Sequence, residues 1–169
     1  CVETALATPD RVVGIVMGCT SGSFDYDRFA DPAVAAWRKE APAAIARLAE
    51  RGIHRAAGAR MADEQPGLHA LYQAVDRLSL GLDKNEIGNR IRAMRKRGAE
   101  DAARISCPAL FVIGEEDLLI CPRGIELVAA TLPDARTVRV PVSGHSVYFE
   151  RATIFNACVE RFLAEIGWQ

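Results

Sequence analysis

Three short apolar runs, separated by stretches of helix length, constrain the fold of this chain more than any other feature. The runs cover residues 11–17, 109–113 and 137–140, and all three contain β-branched residues. Runs of this length and composition are typical of strands that are buried in a parallel sheet. Because amphipathic helical stretches alternate with them, the sequence predicts an α/β fold with a doubly wound, mainly parallel sheet.

The order of these elements divides the chain into three units. Residues 1–22 are expected to form the end of a helix and one core strand. Residues 23–104 form a helical insertion without a clear strand, and residues 105–169 complete the core. The chain does not start with Met, and its first eight residues match the end of a helix that Pro9 stops. We therefore expect it to begin within a fold.

Apolar residues recur at helical spacing in the insertion and predict three helices. The first covers residues 34–48, and Pro42 is expected to kink or divide it. Pro66 opens the second, and Asp83 followed by Glu86 resembles a capping box that starts the third. The residues expected to face inward on the second and third helices are Leu68, Leu71, Tyr72, Val75, Leu78, Ile87, Ile91 and Met94.

Composition excludes several classes of function. The formal net charge is -1, which gives no overall bias toward nucleic acid or an anionic membrane. No apolar run approaches the ~20 residues that span a bilayer, and the first residues lack the pattern of a signal peptide. We expect a cytoplasmic protein with neither a nucleic-acid nor a membrane partner. The basic run 90–97 is interpreted as a solvated helix face.

The five cysteines do not point to a metal site. They are Cys1, Cys19, Cys107, Cys121 and Cys158, and no two of them have CxxC spacing. We expect reduced thiols that are mostly buried, with no metal and no cofactor.

Two loops that follow the second and third apolar runs carry residues with catalytic chemistry. Asp117 follows the second run, and His145 follows the third. Since one helix-plus-strand step returns the chain to the same edge of a parallel sheet, these residues are predicted neighbours. A carboxylate that orients a histidine is the arrangement that activates a nucleophile. Gly114 and Gly144 are expected to permit the tight turns that aim the two side chains.

Several segments resemble the α/β-hydrolase fold superfamily. Residues 105–117, with the sequence ISCPALFVIGEED, are similar to its seventh strand and acid turn. Residues 132–150 are similar to its eighth strand and histidine loop, and residues 155–163 to its closing helix. Residues 9–18 are similar to the sixth strand, which places the helical insertion where that superfamily has its mobile lid.

The resemblance implies a catalytic triad in the order nucleophile, acid, histidine, in which Asp117 and His145 match the last two. The G-x-S-x-G motif of the nucleophile does not appear and is expected upstream of Cys1, in an N-terminal half that would be the partner of this chain. Thr20 and Ser21 lie between two glycines and are weaker alternatives, as is Cys1 itself.

Other titratable residues have alternative interpretations. Glu115 or Glu116 could replace Asp117 as the acid, although the superfamily pattern favours Asp117. Glu150 is expected to stabilise its loop. His54 and His69 lie in the insertion, where surface or satisfied polar roles are favoured over catalysis.

The resemblance implies a serine-type hydrolase that acts on a small apolar ester, lactone or related acyl compound, with this chain alone inactive. Hydrolysis of carbon–carbon bonds, epoxide opening and dehalogenation stay open, although Ser146 after the histidine favours esters or enol-lactones. The alternative is a non-catalytic binding or accessory protein, which the missing nucleophile motivates and the retained Asp–His pair opposes. Three strands also leave a sheet edge uncovered, so we expect the chain to require its N-terminal half.

The residues expected to line a substrate site come from two regions. One group belongs to the insertion, and the other lies beside the acid and the histidine. For the residues of the insertion, ordinary packing explains the apolar side chains as well as a substrate site does. The candidates are Phe24, Trp37, Met61, Tyr72, Leu118, Ser146 and Val147.

Overall fold

A computed structural model describes residues 1–168, which form one parallel sheet with helices against both of its faces. The strands are β1 (Ile15–Gly18), β2 (Ala109–Gly114) and β3 (Ala135–Val140). The helices are α1 (Val2–Ala7), α2 (Pro32–Glu50), α3 (Met61–Glu64), α4 (Pro66–Arg77), α5 (Lys84–Ala93), α6 (Ala99–Ala102), α7 (Pro122–Ala129), α8 (Val147–Glu150) and α9 (Ala152–Glu165). Two 3-10 turns cover Pro9–Arg11 and Tyr26–Phe29. None of the helices within residues 1–168 is long and apolar enough to cross a membrane.

The sheet has the order β1-β2-β3, and both pairs of neighbours are parallel. The central strand β2 is buried along its whole length, and its side chains alternate between two hydrophobic clusters. Phe111 and Ile113 pack with residues of α1 and α7, whereas Leu110 and Val112 pack with Phe162 of α9. The expected α/β class with a parallel, two-sided sheet is therefore confirmed.

The first strand is shorter than the sequence indicates. The apolar run 11–17 predicts a strand, but Arg11 ends a 3-10 turn, Val13 is exposed, and pairing begins at Ile15. The reason is the position at which the partner strand begins. Pairing with β2 starts at Ala109, directly after Pro108, so the residues before Ile15 have no part of β2 beside them.

Pro42 does not divide the helix in which it lies, so that part of the expectation is wrong. The helix α2 runs without a break from Pro32 to Glu50. Its buried residues Val34, Ala41 and Leu48 lie on both sides of the proline. A proline in a helix interior removes one backbone hydrogen bond. Burial of apolar side chains in both halves offsets that loss and holds them in one helix.

Helices α4 and α5 begin where the sequence predicts, at Pro66 and after Asp83. The carboxylate of Asp83 accepts hydrogen bonds from the backbone N–H groups of Asn85 and Glu86, as an N-cap residue does. The expected inward orientation of their apolar faces is wrong for most of the residues concerned. Those exposed are Leu71, Val75, Leu78, Ile87, Ile91 and Met94. Periodicity identifies an apolar face, but it does not supply an element that covers it.

Substitution of Phe111 by alanine is expected to lower the free energy of unfolding by about 3–5 kcal/mol, because this ring is fully buried in the central strand. Urea denaturation followed by circular dichroism measures the change. Val75→Ala, at an exposed position of α4, is the control and should change the free energy of unfolding by less than about 0.5 kcal/mol. Equal effects of the two substitutions would contradict the assignment of the core.

Candidate active site

Asp117 lies in a turn that directly follows β2, here called the acid turn (residues 114–117). Its side chain is buried, and its Oδ1 accepts hydrogen bonds from the backbone N–H groups of Leu119 at 2.8 Å and Ile120 at 2.9 Å. The indole Nε1 of Trp37 donates to its backbone carbonyl at 3.0 Å. A buried carboxylate is stable only when its oxygens accept hydrogen bonds, and these two amides provide the hydrogen bonds to Oδ1.

The other oxygen of Asp117 faces His145, which lies in the loop after β3, here called the histidine loop (residues 143–146). His145 Nδ1 is 2.9 Å from Asp117 Oδ2, and the imidazole is partly exposed. The expected proximity of the two residues is confirmed. Since an ionised carboxylate only accepts, Nδ1 of a neutral imidazole is the donor, and Nε2 is left as its basic nitrogen.

The two loops meet because β2 and β3 are parallel neighbours that end in register at Gly114 and Val140. Backbone hydrogen bonds from Glu115 to the Val140 carbonyl at 3.0 Å and from Glu116 to the Ser143 carbonyl at 2.8 Å continue the pairing into the loops. The acid turn thus rests directly on the histidine loop, and Asp117 reaches His145 without a long side chain.

Gly114 and Gly144 serve this contact in a way that differs from the expected tight turn, because neither has a positive φ. A Cβ on Gly114 would lie 1.9 Å from the Gly144 carbonyl oxygen, and one on Gly144 would lie 2.5 Å from the carbonyl carbon of Ala57. The absence of side chains here permits close approach of backbones. Only glycine allows the acid turn, the histidine loop and the loop around residue 57 to stack.

The thiol of Cys19, which follows β1, lies beneath both loops. Its sulfur accepts a hydrogen bond from Gly114 N at 3.2 Å and is 3.7 Å from the Gly144 carbonyl oxygen, to which the thiol donates. Burial raises the pKa of this thiol to about 11, so it is neutral at ordinary pH. A neutral, fully buried thiol is a poor nucleophile and fits the interpretation of Cys19 as a structural residue.

Four of the predicted substrate-binding residues lie together beside the histidine loop. The Tyr72 hydroxyl and the Ser146 hydroxyl are 2.7 Å apart. Tyr72, Met61 and Leu118 belong to a hydrophobic cluster with Phe149, whose ring meets that of Tyr72 edge to face at 5.0 Å. The structure therefore places an apolar cluster with one hydroxyl pair next to the catalytic candidates, in which Met61 and Ser146 are buried and Tyr72 and Leu118 are half-buried.

Two other predicted residues lie in the hydrophobic core instead. Phe24 packs with Met17 and the residues of α1, and Val147 packs under the sheet with Phe162. Both are buried, so their side chains fill the core and do not line an open site. Trp37 is intermediate, since its ring packs against the core and its Nε1 holds the Asp117 carbonyl.

The alternative nucleophiles are engaged elsewhere. Ser21 is fully buried, and its hydroxyl donates to the Phe24 carbonyl at 3.2 Å. The Thr20 hydroxyl accepts from Gly22 N at 3.0 Å. Cys1 begins α1, and its sulfur lies 3.4 Å from that of Met17.

The histidines of the insertion have polar partners within it. His69 Nε2 accepts from the backbone N–H of His54 at 3.1 Å, and His54 Nε2 is 3.4 Å from Asp76. Burial lowers the pKa of His54, and the neighbouring Asp76 opposes that shift. Within residues 1–168, no group of three or more His, Cys, Asp or Glu side chains is arranged to hold a metal ion.

Comparison with solved structures identifies similar folds. A thermophilic esterase from Thermogutta terrifontis matches at 20% sequence identity and a TM-score of 0.67, over 98% of this chain and 60% of that chain. The enol-lactonase from Burkholderia xenovorans LB400 matches at 24% identity and a TM-score of 0.66, over 96% and 60%. At these identities, the comparison establishes the fold.

Comparison of sequences gives a match that covers a smaller part of this chain. RutD of Escherichia coli K12, a candidate carbamate hydrolase, is 29% identical over 97 residues, which are 56% of this chain and 36% of RutD. No protein-family model matches the chain. The chain thus spans about 60% of the length of the two solved enzymes and 36% of this curated relative.

Replacement of Gly114 by alanine is expected to separate the acid turn from the histidine loop, because the new Cβ would overlap the Gly144 carbonyl. We expect the free energy of unfolding to fall by about 1–3 kcal/mol and the His145 Nδ1–H proton resonance to disappear from its hydrogen-bonded position. Gly88→Ala is the matched control. Its Cβ meets nothing within 4 Å in a helix interior, so it should stabilise the chain by up to about 1 kcal/mol.

Proposed function

We propose that this chain, whose fold is similar to those of the esterase and the enol-lactonase, is the C-terminal part of a serine-type α/β-hydrolase for a small apolar ester, lactone or related acyl compound. The observation that carries the proposal is the 2.9 Å contact between His145 Nδ1 and the buried carboxylate of Asp117. Fold alone does not establish a reaction, but a histidine held by a buried acid is the part of a triad that transfers protons.

The proposed reaction assigns one task to each residue of the pair. His145 Nε2 takes the proton of a nucleophilic hydroxyl as its oxygen attacks the acyl carbon, and it returns that proton to the leaving alcohol, which leaves the acyl group on the nucleophile. In the second step His145 takes a proton from the water that attacks this acyl group and returns it to the oxygen of the nucleophile, so the free acid is released. Asp117 keeps the imidazole in the tautomer with hydrogen on Nδ1 and stabilises the imidazolium. The two backbone N–H groups that bind Asp117 Oδ1 hold the carboxylate in place during both steps.

The nucleophile is proposed to come from the N-terminal half of the enzyme, whether that half is a further segment or a separate chain. Within residues 1–168, no serine, threonine or cysteine side chain is hydrogen-bonded to the imidazole of His145. This chain would then be inactive by itself, and the triad would form only with that half.

The surroundings of His145 support this substrate class. The half-buried side chains of Tyr72, Leu118 and Phe149 offer apolar surface over the buried Met61, with a hydroxyl pair at one end. Such surroundings suit a small acyl group with one polar atom. The names of the similar proteins, an esterase, an enol-lactonase and a candidate carbamate hydrolase, all refer to acyl compounds. The helices of residues 23–104 are proposed to act as a lid over the site. We also propose that the protein is cytoplasmic.

A fluorophosphonate probe tests the proposal in the intact protein or assembly. Labelling of a serine outside residues 1–168 is the expected result, and it should be lost in His145→Gln.

With p-nitrophenyl butyrate as substrate, Asp117→Asn is expected to lower kcat by about 10⁴-fold, since the wrong tautomer of His145 results. Asp134→Asn, at an exposed site, should leave kcat unchanged.

Absence of labelling and of hydrolysis in the intact assembly would contradict the hydrolase proposal. It would instead support the alternative of a binding or accessory protein that kept the fold. The control variant matters here, because loss of activity in Asp134→Asn as well would indicate general instability and not loss of a catalytic acid.

The proposed acyl site also predicts a change of substrate preference. Leu118 directly follows Asp117 and belongs to the apolar cluster. Leu118→Ala should enlarge the site and raise the ratio of kcat/KM for the hexanoyl over the acetyl p-nitrophenyl ester by about tenfold. Val138→Ala removes a partly buried side chain from the cluster between the sheet and α9 and should leave that ratio unchanged. Equal ratios in the two variants would contradict the position of the acyl site.

A further inference from the structure

Two further carboxylates hold one short stretch of backbone against the site. Glu150 is buried, and its two oxygens bind different loops: Oε1 accepts from Gly144 N at 2.9 Å, and Oε2 from Gly58 N at 2.8 Å. Glu116 Oε2 accepts from the next amide, Ala59 N, at 2.8 Å. The stretch after α2, here called the insertion loop (residues 53–59), is thus tied to both the acid turn and the histidine loop.

Further contacts bring the insertion loop closer to the histidine loop. Ser146 N donates to the Ala56 carbonyl at 3.1 Å. A Cβ on Gly58 would lie 3.0 Å from Glu150 Oε2, 3.1 Å from Glu116 Oε2 and 3.1 Å from Gly144 N. Gly58 therefore lies where the three segments meet, and a shift of the insertion loop is transmitted to the backbone next to His145.

The charge of Glu150 has an energetic cost in this position. Burial raises the pKa of this carboxyl, and the hydrogen bonds from Gly58 and Gly144 offset only part of that effect. When the pKa of a carboxyl is higher in the folded chain than in the unfolded chain, the free energy of unfolding falls as the pH rises. The fall lies between the pKa in the unfolded chain and the pKa in the folded chain. The ionised form of Glu150 therefore stabilises the fold less than the protonated form does, although both of its oxygens accept backbone hydrogen bonds.

We propose that Glu150 is a positioning residue: by binding Gly144 and Gly58 together, it fixes His145 against Asp117 and couples that contact to the position of the insertion loop. Glu116 adds a second tie through Ala59. The effect on turnover rests on the proposed function, whereas the effect on the Asp117–His145 hydrogen bond does not.

The substitution Glu150→Gln tests this directly. It keeps one carbonyl acceptor, but its NH₂ group would face one of the two backbone N–H donors, so one tie is lost with little change in volume. Glu115→Gln is the matched control in the acid turn. Its side chain is half exposed and lies 3.8 Å from Arg139 on the surface, away from the insertion loop.

The variants are measured in the full-length protein. Proton NMR follows the His145 Nδ1–H resonance, and hydrogen exchange follows the amides of Gly58, Ala59 and Gly144. Glu150→Gln is expected to broaden or abolish the imidazole resonance and to speed exchange at Gly58 and Gly144 at least tenfold. Glu116→Gln should speed exchange at Ala59, and Glu115→Gln should change none of these signals.

An unchanged imidazole resonance in folded Glu150→Gln would overturn the inference, as would the same loss in Glu115→Gln. If Glu150→Gln does not fold, Gly58→Ala tests the same tie from the other side, because its Cβ would press on both carboxylates. Loss of the imidazole resonance in that variant supports the inference, and an unchanged resonance overturns it.

Activity separates this inference from the proposed function. If the wild-type protein hydrolyses the ester, Glu150→Gln should lower kcat at least tenfold with little change in KM. An active wild type with an unchanged imidazole resonance in Glu150→Gln overturns only the positioning role. If the wild-type assembly that includes the N-terminal half is inactive while Glu150→Gln abolishes the resonance, the proposed function is overturned and the positioning role is supported.

Discussion

The site depends on the close approach of two backbones at Gly114 and Gly144. A side chain at Gly114 would lie 1.9 Å from the Gly144 carbonyl oxygen, so any other residue forces the two loops apart by more than an ångström. The hydrogen bond between Asp117 and His145 is 2.9 Å long, and such bonds extend over only about 2.7–3.2 Å. A shift of that size exceeds the range, so the hydrogen bond is a consequence of the backbone contact and cannot replace it.

The backbone contact in turn follows from the sheet. Strands β2 and β3 are parallel neighbours in register up to Gly114 and Val140, and the loops that leave them start from the same edge. This is the part of the site that a single sequence predicts well, because it needs only two apolar runs, one helix between them and the handedness of the crossover. The sequence pattern therefore suffices to predict that Asp117 and His145 are neighbours.

Other features depend on partners that no local pattern encodes. Periodicity places Leu71, Val75 and Leu78 on one face of α4, but whether that face is buried depends on which segment packs against it, and these residues are exposed. The run 11–17 resembles a strand, yet its paired length is limited by where β2 begins. Glu150 meets Gly58 across 92 positions of sequence, and no motif joins the two. The role of Gly144 likewise depends on Ala57, which only the fold brings near.

The site has a polar part and an apolar part, and Ser146 links them. Asp117, Glu150 and Cys19 hold the loops through hydrogen bonds to backbone, whereas Met61, Leu118 and Phe149 form a cluster without such bonds. Ser146 directly follows His145, its N–H binds the insertion loop, and its hydroxyl pairs with Tyr72 of the apolar cluster. Ser146 therefore connects the apolar cluster to the backbone next to His145.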